Sequence, residues 1–231
     1  MKTPLVLLPG LLCDAQLWRP QRDGLSGANC WVADLTLDAS MVEMSKRVLT
    51  EAPFPRFSLA GLSMGGYVAM ELMRQAPERV ARLALLDTQA RTDIPEATER
   101  RLALIELANQ GKFADVTERL LPLLLHPSRL SDARLVDVVK SMAHKVGKDA
   151  FLRQQNAIMR RIDSRPSLAN IRCPTLVLCG DGDLLTPPDR HAEIVAAVPG
   201  AKLVVVPECG HLSTLEKPTE VNRALQAWLI N

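Results

Sequence analysis

The chain reads as an α/β protein built on a six-stranded, mainly parallel sheet flanked by helices, with an all-helical insertion. Three observations predict this class. Short apolar runs alternate with helical stretches along most of the 231 residues, the pattern that gives a parallel sheet covered on both faces. Between about residues 91 and 165 the alternation stops and four helical stretches follow one another. At Gly61-Leu62-Ser63-Met64-Gly65 a G-x-S-x-G string lies between a strand-like run and a helical one.

In chain order, Pro4–Leu8 is the first strand and Ala15–Asp23 a helix. Asn29–Ala33 is the second strand, followed by a helix from about Ser40 to Glu51. Arg56–Ala60 is the third, with the helix Tyr67–Gln75 after the serine turn. Val80–Leu86 is the fourth, rich in Val, Leu and Ala and ending at Asp87. The four helices of the insertion fall near 95–109, 113–124, 131–145 and 148–162, punctuated by Gly111, Pro127 and Gly147. Thr175–Cys179 and Leu203–Val206 are the fifth and sixth strands. Pro187–Ala197 and Thr219–Leu229 are the last helices, the second preceded by Pro218, which suits a helix start. The expected division is a core of residues 1–90 and 166–231 with a lid of residues 91–165.

Composition narrows the function classes. With 47% hydrophobic and 23% charged residues the chain is expected to be a soluble protein with a sizeable core. A net charge of +2, without basic runs interleaved with aromatics, gives no expectation of a nucleic-acid partner. The opening apolar run is broken by Pro9 and Gly10, too short to span a bilayer and unlike a secretory signal, so no membrane partner is expected. The five cysteines form no C-x-x-C pair and read as free thiols of a reducing compartment, hence the cytoplasm. Cys179 and Cys209 read as buried packing thiols. No His/Cys/Asp cluster has metal-ligand spacing, and no cofactor is implied.

The chemistry centres on Ser63. Reversing the chain within a few residues forces this serine into a strained conformation, and glycine at 61 and 65 removes Cβ atoms that would collide. Its hydroxyl then projects above the positive end of a helix as a nucleophile. A serine needs a general base, and the base needs a group to hold its tautomer. Of His126, His144, His191 and His211, only His211 lies in a loop after the sixth strand, on the carboxyl side of the sheet with Ser63. For the orienting acid, Asp183 is favoured over Asp181, which can simply shape the turn, with Asp87 a third candidate. Ser63, Asp183 and His211 then follow the Ser…Asp…His chain order of one hydrolase architecture. The oxyanion would be held by the backbone N–H groups of Met64 and of Leu11, in the loop after the first strand that Gly10 opens to close approach.

These residues resemble the α/β-hydrolase superfamily across essentially the whole chain. The resemblance rests on L-V-L-L-P-G-L-L with Trp18 downstream, G-L-S-M-G-G-Y, P-T-L-V-L-C-G-D-G-D and G-H-L-S-T-L-E-K-P. It implies strand order 2-1-3-4-5-6, the acid at Asp183, the base at His211 and a helical lid at residues 91–165. Many relatives carry His-Gly in the oxyanion loop where this chain has Pro9-Gly10; a backbone donor does not need that histidine.

The expected activity is hydrolysis of a small or medium carboxylic ester, thioester or lactone. A lyase or C–C bond hydrolase and a non-catalytic small-molecule receptor are the alternatives. The expected partner is a small acyl substrate, taken up by a pocket of Leu and Met. The lid holds 14 Lys and Arg against 10 Asp and Glu, a charge that would suit a carboxylate-bearing substrate or an acidic carrier protein. Arg160 and Arg161 are its candidate carboxylate clamp.

Overall fold

Six runs of Val, Leu and Ala form the sheet of the computed structural model, which describes residues 3–230. They are β1 (Thr3–Leu8), β2 (Ala28–Val32), β3 (Phe57–Leu62), β4 (Val80–Leu86), β5 (Thr175–Gly180) and β6 (Lys202–Val206). The order is β2-β1-β3-β4-β5-β6, and every neighbouring pair is parallel. β3 lies centrally, with Ala60 beside Leu7 on one side and Ala84 on the other. Only strands covered on both faces can be apolar at successive positions, and β3 and β5 are buried throughout.

Side chains alternate between the two faces. Val6, Leu8, Leu59, Leu83, Leu85 and Val177 pack on one side against α2 (Met41–Glu51) and α3 (Met64–Gln75). Leu5, Leu7, Leu62, Leu86, Leu176 and Leu178 face the other way, toward Trp18, Leu225 and Trp228. Ser40 caps α2 by accepting the Glu43 N–H at 3.1 Å while its hydroxyl donates to the Glu43 carboxylate at 3.0 Å. The expected helix at 15–23 is instead a 3-10 turn, Ala15–Trp18, followed by α1 (Arg19–Gly24). Asp14 caps the turn, and Pro20, which has no N–H to give, starts the helix afresh.

The insertion is helical, as expected: α4 (Pro95–Asn109), α5 (Phe113–Leu124) and α6 (Ala133–Met159). α6 is bent at Gly147, whose φ of 78° lies in the left-handed region, so it is two helical segments with the expected break. Leu104, Leu107, Val116, Leu120 and Phe151 form the insertion's own small core, which touches the sheet domain through Leu12. α7 (Arg165–Leu168) leads back to β5, and α8 (Pro188–Ala197) covers the β5 and β6 side. A short α9 (Ser213–Glu216), which carries no strong periodicity of its own, precedes α10 (Pro218–Ile230). Among the described residues no helix is long and apolar enough to cross a membrane.

Candidate active site

β3 runs without interruption into Ser63, one residue before α3 begins. Ser63 has φ 54° and ψ −114°, a strained conformation for a residue with a side chain. The turn is closed by hydrogen bonds at Ser63: its N–H donates to Leu86 O at 2.9 Å, and its carbonyl accepts from Gly66 N and Thr88 Oγ1. Glycine is required on both sides. A Cβ at Gly61 would sit 2.3 Å from the Gly65 carbonyl oxygen, and one at Gly65 would sit 2.2 Å from Leu8 O.

The loops after β5 and β6 deliver the other two groups. His211 Nε2 lies 2.8 Å from Ser63 Oγ, and its Nδ1 lies 2.8 and 2.9 Å from the two oxygens of Asp183. Asp183 also accepts from the backbone N–H groups of Leu185 and Thr186 and from the Thr186 hydroxyl. Both side chains are buried. Burial alone would raise the Asp183 pKa, but the His211 charge and the donated hydrogen bonds outweigh it, and the carboxyl sits below its usual range. Burial would likewise lower His211; the Asp183 charge, their hydrogen bond and the nearby Asp87 and Glu216 hold it above the ordinary histidine value. With Asp183 ionised, Nδ1 keeps the proton and Nε2 is left to accept from the serine hydroxyl.

The other acids are placed elsewhere. Asp181 is exposed and accepts from the Cys209 N–H at 3.3 Å, which shapes the turn. Asp87 is fully buried, with φ 45°, and accepts from Gly180 N, Ser213 N and Ser213 Oγ rather than from His211. Burial, reinforced by the Asp183 charge, drives its pKa well above the usual carboxylate range. His126 bonds Ser128, and His144 is exposed on α6.

His191, also fully buried, is a structural histidine that sequence reading passed over. Its Nε2 accepts the Thr88 N–H at 2.9 Å and its Nδ1 donates to Pro187 O at 3.3 Å. It thereby ties α8 to the segment that bonds the Ser63 carbonyl. Burial pushes its pKa down to about 4. A histidine depressed in the folded state gives stability that is full above its unfolded pKa and is lost as pH falls. His191→Gln keeps an acceptor for Thr88 but cannot protonate. Wild type should therefore lose about 3 kcal/mol relative to this variant between pH 6.5 and 4, measured by urea unfolding. Parallel pH profiles would refute the assignment.

Of the two expected oxyanion residues, Met64 is next to Ser63 in the chain and Leu11 lines the same cavity. Leu11 follows Gly10 in the loop after β1, and Met64 opens α3 directly after Ser63. Leu12 has φ 59°, and its N–H donates to Gln154 Oε1 at 3.1 Å, while Gln154 Nε2 donates to Leu35 O. Gln154 thus fixes the loop from the insertion and occupies the Leu12 amide, leaving the Leu11 amide without a protein partner among the described residues. A Cβ on Gly10 would meet Leu62 and Ser63 at 3.5 Å, an ordinary contact, so glycine is not needed there for space.

Ser63 and His211 open into a cavity of about 290 Å³ under the insertion. Leu11, Tyr67, Leu104, Leu120 and Ile158 supply apolar wall; leucine is present as expected, whereas among the described residues no methionine lines the cavity, and Met44, Met64 and Met70 pack beside the sheet. Arg160 and Arg161 do not reach this cavity, which corrects the expected clamp. Arg160 is exposed at the end of α6. Arg161 is buried against Asp93 at 2.7 Å, the Arg91 and Ile158 carbonyls and the Tyr67 ring. Cys179 and Cys209 are buried thiols pushed up by burial, first of all, and by nearby carboxylates. Among the described residues no group of three or more His, Cys, Asp or Glu is arranged to hold a metal ion.

The sequence profile of the Alpha/beta hydrolase family matches residues 5–224. The chain belongs to the α/β-hydrolase family. Among curated relatives it is 28% identical, over 96% of this chain and 89% of the other, to the Shigella flexneri protein named "Putative carbamate hydrolase RutD". Among solved structures, a thermophilic esterase from Thermogutta terrifontis, determined with malate bound, is 28% identical with a TM-score of 0.90, covering 100% of this chain and 90% of that one. The enol-lactonase from Burkholderia xenovorans LB400 is 22% identical with a TM-score of 0.91, covering 100% and 92%, a likeness of fold. In this α/β hydrolase the parallel sheet and the helical insertion α4–α6 are therefore family features.

Proposed function

We propose that the protein hydrolyses a small carboxylic ester, or the related thioester or lactone, through an acyl-enzyme on Ser63. The observation that carries this reading is the unbroken hydrogen-bonded chain from Ser63 Oγ through His211 to Asp183, opening into the cavity under the insertion. The esterase relative, and the relative named for carbamate hydrolysis, support attack on a carbonyl of this kind.

In this scheme Ser63 Oγ forms a bond to the carbonyl carbon as its proton passes to His211 Nε2. The carbonyl π electrons move to oxygen, and the Leu11 and Met64 N–H groups hold the oxyanion at the positive end of α3. Collapse breaks the bond to the leaving group, which takes the proton from His211. Water then attacks the acyl-enzyme by the same sequence and frees the acid and Ser63. Asp183 stabilises the His211 cation in both halves. The insertion acts as a lid that keeps bulk water from the acyl-enzyme.

The decisive test is the fate of solvent oxygen. Turnover of short-chain p-nitrophenyl esters in ¹⁸O-water should place one ¹⁸O in the released acid, with kcat/KM falling as the acyl chain outgrows the cavity. Product formation without solvent oxygen would replace hydrolysis by elimination.

A further inference from the structure

Deep in the cavity wall lies a polar cluster that the proposed hydrolysis does not use. The Arg101 Nε donates to Asp93 at 2.7 Å, and Arg161 donates to the other Asp93 oxygen at 2.7 Å. These side chains are nearly out of water: Arg161 and Asp93 are 5% and 4% exposed and Arg101 15%. Two guanidinium groups thus share one carboxylate, leaving a net positive charge in a site where uncompensated charge is costly. Four of the five Arg161 N–H groups are spent inside the protein, on Asp93 and on the Arg91 and Ile158 carbonyls.

Arg101 is not saturated. Its Nη1 donates to Gln155 Oε1 at 2.9 Å, whereas its Nη2 has no partner among the described residues. That bond also fixes the Gln155 amide, with the oxygen toward Arg101 and the Nε2 away from it. Gln155 is fully buried, and Nε2 has no hydrogen-bond partner among the described residues. A buried amide donor left unpaired is destabilising, so a partner for it is favoured. Gln155, Arg101 and Asp93 all line the cavity that Ser63 and His211 open into. Arg100, exposed and without an ion-pair partner among the described residues, stands on the same wall nearer solvent.

We infer that Arg101 and Gln155 form a carboxylate subsite, so that the substrate is an ester bearing a carboxylate on its acyl part. One carboxylate oxygen would accept from Arg101 Nη2 and the other from Gln155 Nε2. A single negative charge then neutralises the cluster and satisfies the orphaned amide together. A methyl group in the same place would leave both unmet, and discrimination of that kind is strong because the site's own polar groups go unpaired. Arg91 and Arg190 also border the cavity, but their charges are answered by Glu193 and Asp189. The inference names the substrate class for the ester-hydrolase reading and rests on it for the reaction, though not for the binding.

Binding is therefore tested apart from turnover. In Ser63→Ala protein, calorimetric titration should show monoethyl glutarate bound about tenfold or more tightly than ethyl pentanoate, which replaces the carboxylate by methyl. Gln155→Glu is isosteric, pairs with Arg101 internally and opposes the ligand charge; it should erase that preference. Gln155→Met, which removes the donor without adding charge, should cut it by about fivefold or more. Arg100→Gln, at an exposed position, should weaken monoethyl glutarate by only about threefold, and less at high salt. Equal affinity for the two esters, or a preference that survives both Gln155 variants, overturns the subsite. Selective binding of monoethyl glutarate by a wild type that hydrolyses neither ester would keep the subsite and remove the hydrolase reading. Hydrolysis of both esters at equal kcat/KM would do the reverse.

Discussion

Ser63→Ala is expected to lower turnover of a short-chain p-nitrophenyl ester by about 10⁴-fold or more with the fold intact. The loss is large because the nucleophile, base and orienting acid act as a unit, so removing one leaves only the oxyanion donors and substrate binding. The fold should survive because the turn is held by main-chain bonds at Ser63 and by the Thr88 hydroxyl, not by the serine side chain. Alanine keeps a Cβ where serine has one and so inherits the same strained φ of 54°. Fluorophosphonate treatment followed by mass spectrometry should give one adduct on Ser63 in wild type and none in the variant. An unlabelled wild type with no turnover would point to a receptor rather than an enzyme.

Asp183→Asn should cost about as much, near 10⁴-fold in kcat, while Asp181→Asn stays within about threefold of wild type. An asparagine amide at 183 can donate to His211 Nδ1, which shifts the proton to Nε2 and leaves no acceptor for the serine hydroxyl. The pH profile separates this from general damage. The proposed mechanism needs neutral His211, whose pKa is raised by Asp183 against the opposing effect of burial. The acid limb of kcat/KM in wild type should therefore lie above the ordinary histidine value of about 6.5, and in Asp183→Asn it should move downward as burial prevails. An unmoved limb would mean that Asp183 does not set the charge on His211. Equal losses in the 181 and 183 variants would mean that the loop, not one carboxylate, matters.

Much of the fold is legible because its signals are local. β3, Ser63 and α3 are contiguous, and the glycines at 61 and 65 are needed for contacts inside that same turn or with the adjoining strand. His211 and Asp183 are legible for a related reason. In a parallel sheet every strand delivers its following loop to one end, so placing a residue after a strand already places it near Ser63. Strand limits are less legible: β3 extends to Leu62, beyond the expected Ala60, since apolar periodicity does not distinguish the end of a strand from the turn after it.

The insertion shows where sequence stops being enough. Net charge singled out Arg160 and Arg161 as the clamp, yet one is exposed and the other is consumed by Asp93. The cavity wall instead holds Arg101 and Gln155, which are hydrogen-bonded although 54 positions apart. Gln154, next to Gln155, bonds the Leu12 amide and the Leu35 carbonyl and so holds the loop after β1 from 142 positions away in the chain. His191 is likewise fixed by Thr88, 103 residues away.

The sequence alone determined the parallel sheet, the strained serine turn and the chain order of Ser63, Asp183 and His211. These follow from hydrophobic periodicity, from glycine's freedom and from the polarity of the strands, all properties of neighbouring residues. The tertiary structure decided which carboxylate meets His211, which arginine is spent on an internal pair and which amide donor is left unpaired in the cavity wall. Those outcomes depend on the rotation of each helix about its axis and on where the insertion docks, and both are settled by packing between segments far apart in the chain.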